Sequence, residues 1–215
     1  LWAIFDDFGE GHGQYIFHQG GGGGEGWHIR LAANNQIQFE IGDGSNSHIA
    51  NNVIGEDIEL GKWYMITCVL DKGATGKIYV NGIEVSSEDV SSVSGDIDPG
   101  GGLYLLNYSA SYSDVLSGSA TEYSIFKGVA FSATEVVELF NDGKALDATK
   151  HSQIGNLKGY WRNNGLSTWT NIHNPGTHDG AFTGTAETIL IPEGVDFTRD
   201  SQGFLMNKKR STGSL

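Results

Sequence analysis

Apolar residues in this chain fall into short runs rather than helical stripes. Between residues 1 and 106 the runs are 1–5, 15–18, 27–32, 37–41, 63–70, 78–80, 83–85 and 103–106, separated by clusters of Gly, Asn, Asp or Ser. Runs of strand length bounded by turn formers argue for antiparallel strands stacked as a sandwich or closed as a barrel. Parallel βαβ units would need helical patterns between the strands, and the sequence has none there.

One hairpin can be read residue by residue. In "GKIYVNGIEV" the pair Asn81-Gly82 suits a two-residue type I′ turn, whose two central residues both need positive φ. With that loop Val80 faces Ile83, Tyr79 faces Glu84 and Ile78 faces Val85. One face of the hairpin is then wholly aliphatic and is predicted to point at a core. A single helix is signalled in "FSATEVVELFNDG": Ser132 and Glu135 form a capping box, Phe131 and Val136 stand at staple positions, and Gly143 is placed as the left-handed cap. Val136, Leu139 and Phe140 share one side, so the helix should lie on the sandwich.

After residue 150 strand-like patches occur at 159–162, 181–184 and 187–191, with an Asp179-Gly180 turn between the first two. The expected organisation is a core over 1–150, strands completing or extending it over 151–199, and an extended tail or docking arm over 200–215. The chain opens at Leu1 inside an apolar run, from which further sequence upstream is expected.

Composition narrows the function classes. Thirty-two glycines and three prolines accompany 38% hydrophobic residues, so glycine punctuates strands in a folding chain. The net charge is -13, and the cations Lys208, Lys209 and Arg210 lie in a terminal stretch without acids. Nucleic acid is therefore excluded as an expected partner of the body of the protein. Membrane insertion is likewise not expected, since no run approaches the length of a membrane helix. Cys68 is the one cysteine, which forbids an internal disulfide, and its apolar setting predicts a core thiol.

The order of three segments carries a resemblance. "GWHIRLAANNQIQFEIGDG", "GKWYMITCVLDKGATGKIYVNGIEV" and "GSATEYSIFKGVAFSATEVVELFNDGKAL" resemble the hairpins, closing strand and short helix of LamG-like, concanavalin A-like jelly rolls, covering about 15–146. The resemblance implies an all-β, two-sheet antiparallel sandwich with one short helix. The family's N-terminal opening is absent. The stretch "GYWRNNG…WTNIHNPGTHDGAFTG" resembles a motif that normally precedes this core but here follows it. With "IPEGVDFTRDSQGF" it resembles structural proteins of tailed bacteriophages.

Catalytic chemistry is poorly supplied. Glucanases on this fold set acids at i, i+2 and i+4 along one strand, so that alternation aims them into one cleft. In "GEDIEL" the acids Glu56, Asp57 and Glu59 have spacings of one and two, which sends the first pair to opposite faces. No Gly-x-Ser-x-Gly elbow occurs, and His12, His18, His173 and His178 read as surface or turn histidines. The glycine run 20–24 lacks the Lys-Ser/Thr of a P-loop and reads as a hairpin tip. No enzyme is expected. Calcium is the ion that LamG relatives hold at a loop rim, and Asp96, Asp98 and Asp43 are the candidate ligands, although the same loops serve equally as solvated turns. Binding is expected from the loops 20–26, 43–52, 96–102 and 107–113, with Tyr108, Tyr112 and Trp27 as aromatic platforms.

The leading expectation is a non-enzymatic virion protein, decorating a capsid or forming part of a tail fibre, at the virion surface. Its partners would be other virion proteins or copies of itself, and cell-surface glycans. The alternative is an extracellular carbohydrate-binding module, once attached to a glycosidase.

Overall fold

A computed structural model describes residues 1–8, 13–20, 24–32, 35–51, 58–98, 100, 102–107, 115–163, 168–181, 197–199 and 205–207. In chain order the strands of the core are β1 (Trp2–Phe5), β2 (Gln14–Gly20), β3 (Glu25–Leu31), β4 (Ile37–Asp43), β5 (Ser47–Asn51), β6 (Trp63–Asp71), β7 (Thr75–Val80), β8 (Ile83–Asp89), β9 (Leu103–Leu105) and β10 (Gly118–Thr121). They form two antiparallel five-stranded sheets, ordered β10-β1-β6-β7-β8 and β5-β4-β3-β2-β9. The expected two-sheet antiparallel sandwich is the observed architecture.

Alternation along each strand decides what the sheets bury. From the first sheet Ala3, Phe5, Tyr64, Ile66, Ile78 and Val80 point inward, and from the second Phe17, Ile29, Leu31, Ile37, Phe39 and Ile41 meet them in the principal core. The opposite face of the first sheet is also apolar: Trp2, Trp63, Met65, Val69 and Tyr79 pack under Phe131, Val136, Leu139 and Phe140. These last residues lie in or beside the helix α1 (Ala133–Phe140), and Trp2 stacks on Phe140 at 5.8 Å with planes 19° apart. The first sheet is thus closed on both faces.

The helix begins as its capping box predicts, with Ser132 and Glu135 satisfying each other's backbone. It ends two residues before Gly143, because Asn141 takes the left-handed conformation (φ 49°) and Asp142 follows it (φ 54°). Short polar side chains tolerate that conformation, so Gly143 was not needed as the stop.

The hairpin also departs from its ideal reading. Asn81 (φ 52°) and Gly82 (φ 81°) make the two-residue turn, and Val80 faces Ile83 and Tyr79 faces Glu84. A bulge then puts Ile78 opposite Ser86, leaving Val85 as the extra residue. Of the aliphatic face, Ile78, Val80 and Val85 enter the principal core as expected, whereas Ile83 at the rim is 61% exposed; on the opposite face Tyr79 is buried under α1. Strand β5 was not anticipated, since "SHIAN" carries little apolar signal and is held by pairing to β4, whereas β10 falls in the segment that resembles the family's closing strand and pairs with β1.

Beyond the core, β11 (Tyr123–Phe126) pairs with β12 (Leu157–Trp161), β13 (Thr168–Trp169) with β14 (Gly180–Ala181), and β15 (Phe197–Arg199) with β16 (Leu205–Asn207). None of these ribbons joins a five-stranded sheet. Trp161 and Trp169 nevertheless enter the principal core. Glu122 fastens β12 to the sandwich, accepting hydrogen bonds from Arg162 Nε at 2.6 Å and from the Tyr160 hydroxyl. The segment 200–215, expected to be extended, contains β16, which folds back on β15. The patch 187–191 lies outside the described residues.

Candidate functional site

Strand β3 points Leu31, Ile29 and Trp27 inward in succession. The first two are sealed in the core, but Trp27 stands where the sheets part and lines a cleft of about 600 Å³. Its walls include Phe17, Ile29 and Phe39 from one sheet and Ile66, Cys68 and Leu70 from β6. Trp27 meets Phe17 edge-on at 5.0 Å, which fixes the plane of the indole. A polar relay runs from it across the second sheet: Trp27 Nε1 donates to Gln19 Oε1 at 2.8 Å, and Gln19 Nε2 donates to Asp98 Oδ1 at 2.9 Å. Lys127 Nζ completes it, 3.3 Å from Asp98 Oδ2. Lys127 is 70% exposed, so solvent screens this pair and its value is positional rather than stabilising. An aromatic ring, an amide, a carboxylate and an ammonium therefore converge on one largely apolar hollow, the usual make-up of a small-ligand site.

The outer face of the second sheet is polar in a different way. Cross-strand register sets Tyr104, His18, His28 and Glu40 side by side on β9, β2, β3 and β4. The His18 ring lies over Tyr104 at 5.8 Å with planes 27° apart. His28 Nε2 is 3.1 Å from Glu40 Oε2. This contact is the main reason that the Glu40 carboxyl is held below its ordinary range, and the charge of Arg30 adds to it. The neighbouring row sets Tyr15, Arg30 and Gln38 together. A bulge at Ile16 lets Tyr15 and His18, three residues apart, share this face while Ile16 and Phe17 both turn inward. The end of the sheet is bare of side chains. A Cβ on Gly42 would lie 2.0 Å from the Gly24 carbonyl oxygen, so only glycine lets that loop approach.

Of the residues singled out in the sequence, Trp27, Asp96 and Asp98 come together at the cleft. Asp43 does not join them. Its carboxylate accepts from the backbone N–H groups of Ser45, Asn46 and Gly95, which tie two loops together and push its pKa down to about 2. Asp96 likewise accepts from the Asp98 N–H at 3.0 Å. Among the described residues no three His, Cys, Asp or Glu gather to hold a metal ion. Tyr108, Tyr112, Glu56, Asp57 and His12 lie outside the described residues, and Glu59 pairs with Lys62 at 2.7 Å. His18, expected as a surface or turn histidine at the end of the run 15–18, is instead only 8% exposed in β2. Cys68 lines the cleft, and burial pushes its thiol far above the ordinary range.

The outer row was missed by sequence reading, though a signal existed. In "WHIRL" and "IQFEI" the polar His28, Arg30, Gln38 and Glu40 alternate with buried apolar residues. Two adjacent strands with that pattern place all four on one face.

Residues 1–137 match the Laminin G family described as the concanavalin A-like lectin/glucanases superfamily. Comparison with curated protein sequences returns no match. Among solved structures, the chain is similar to a candidate carbohydrate-binding protein from Bacteroides ovatus, with a TM-score of 0.59, 15% identity and 88% of this chain covered. It is also similar to the binding domain of Paraclostridial Mosquitocidal Protein 1, with a TM-score of 0.53, 16% identity and 66% covered. The aligned parts span 54% of the first and 36% of the second, and at such identities they establish the fold alone. With the two sheets, the capped helix and the match over 1–137, the chain belongs to the concanavalin A-like lectin/glucanases superfamily.

Proposed function

We propose that this chain is a non-catalytic glycan-binding domain that works outside the cell and seats a sugar ring against Trp27. The observation that carries this is the Trp27–Gln19–Asp98–Lys127 relay at the mouth of the cleft. A sugar offers a C–H face to an aromatic ring and hydroxyls to carboxylate, amide and ammonium groups, and the cleft presents both kinds of surface. The names of the two similar structures, a candidate carbohydrate-binding protein and a binding domain, support the same class. Against catalysis stands the electrostatics: the carboxyls whose pKa departs from the ordinary range, such as Glu40, Glu84 and Asp147, are held below it. A general acid needs the opposite shift.

Tyr108 and Tyr112 remain candidate platforms for the same ligand. An adhesive role in a virion is a narrower setting for this surface. It is supported by the resemblance of residues 159–184 and 191–204 to tailed-phage structural proteins. The test is a glycan array with the wild type, Trp27→Ala, Asp98→Asn, Tyr108→Ala and Tyr112→Ala, each checked for folding by thermal melt. Loss of binding in Trp27→Ala and about tenfold weakening in Asp98→Asn are expected. Full binding by both would refute the cleft as the site.

A further inference from the structure

We propose that the outer face of the second sheet holds a second binding site, centred on Arg30, which takes the carboxylate of an acidic sugar. Arg30 is the one Lys or Arg in the five strands of that sheet. Its guanidinium is fixed rather than free: Nε donates to Gln38 Oε1 at 2.7 Å, Nη1 lies 3.4 Å from the Tyr15 hydroxyl, and the group sits 5.8 Å from the centre of the Tyr15 ring. Gln38 spends its carbonyl on this contact, so its amide N–H groups remain as further donors beside the same spot.

Among the described residues Arg30 forms no salt bridge, although the charge of Glu40 on the same face is felt at a distance. Glu40 is the carboxylate of this face and is engaged with His28. A guanidinium has five N–H donors, and two are accounted for, so a planar fork of donors remains for a ligand. That fork matches a carboxylate in two parallel hydrogen bonds, and its pre-set orientation lowers the cost of forming them. A doubly charged phosphate or sulfate fits less well, because the face offers one fixed cation within a chain of net charge -13.

The surroundings favour a sugar as the bearer of the carboxylate. The Tyr104 and His18 rings stand one register row along the sheet, and Arg30 and Tyr104 are separated by two strand spacings, roughly 12 Å in all. His28, Glu40 and Gln38 lie between or beside them as hydroxyl partners. The sugar part of the proposal rests on the glycan-binding reading above; the carboxylate part stands on Arg30 alone.

The test is a titration of the ¹⁵N-labelled full chain, at fixed ionic strength, with glucuronate, glucose and acetate in separate arms. Glucuronate is expected to shift the amides of Tyr15, His28, Arg30 and Gln38 and the Arg30 Nε–H signal. Glucose should leave them in place, and acetate should need at least about tenfold higher concentration. Arg30→Gln should weaken the glucuronate response about ten- to a hundredfold while its spectrum and melting point stay those of a folded chain, and Arg30→Lys should recover part of it. Equal shifts with glucose, equal potency of acetate, or an undiminished response in Arg30→Gln would each overturn the proposal. The two sites report separately: loss of a sugar response at the Trp27 indole with a retained one at Arg30 defeats only the cleft, and the reverse defeats only this site.

Discussion

Val85→Ala and Ile83→Ala form a matched pair that tests which residues of the β7–β8 hairpin reach the core. In a regular hairpin Val80, Ile83, Ile78 and Val85 share the inward face, and trimming Ile83 should cost about 2–5 kcal/mol as in any well-packed core. Ile83 keeps its pairing with Val80 but sits at the rim beside the turn, 61% exposed, whereas Val85 is 8% exposed and lies in the principal core. Val85→Ala removes two methyl groups at about 0.8 kcal/mol each, and incomplete collapse of the space adds a cavity cost, for a total of about 2 kcal/mol. Ile83→Ala should stay within about 0.5 kcal/mol of the wild type. Urea unfolding followed by tryptophan fluorescence reads the difference. With a slope of about 2–3 kcal/mol per molar, Val85→Ala should lower the midpoint by about 0.7–1 M while Ile83→Ala barely moves it. A midpoint lowered as far by Ile83→Ala as by Val85→Ala would sink the placement of Ile83 at the rim.

Phe140→Ala, which removes the ring stacked on Trp2, should cost about 3–5 kcal/mol and lower the melting temperature by roughly 6–20 °C in calorimetry; a drop under about 2 °C would mean that α1 does not anchor the first sheet. Asp43 is depressed from an ordinary 3.8 to about 2 in the folded chain, so its contribution is present above the ordinary value and lost as pH falls toward 2. Asp43→Asn should therefore melt lower than the wild type at pH 6 and converge with it near pH 2, and a constant gap across that range would count against the three-N–H clasp. Cys68 should react with a thiol reagent far more slowly in the native chain than in urea, because burial disfavours its thiolate; equal rates would show that the cleft admits solvent to the sulfur.

Legibility in the sequence followed the range of the interactions involved. The capping box, the Asn81-Gly82 turn and the strand runs are set within a few residues by backbone preference and alternation, and they were readable. The stop at Asn141 rather than Gly143 shows the limit of even local signals, since two neighbouring residues could both take the left-handed conformation. Strand β5 was invisible because its few apolar residues give no pattern, and only pairing with β4 makes it a strand.

The candidate sites divide the same way. Sequence chemistry could single out Trp27, Asp96 and Asp98 one at a time, but their convergence depends on loop 96–98 closing over the end of β3, some seventy residues away along the chain. Alternation alone put His28, Arg30, Gln38 and Glu40 on one face. Only the tertiary structure decided that α1 packs on the other sheet and not on this face. The sequence by itself determined most strands, the hairpin turn and the helix start, which rest on short-range signals; periodicity left sandwich and barrel open, and the resemblance pointed to the sandwich. Which face α1 covers, which carboxylate is spent on backbone N–H groups and which cation forms no salt bridge depend on contacts between distant segments, and no local pattern encodes them.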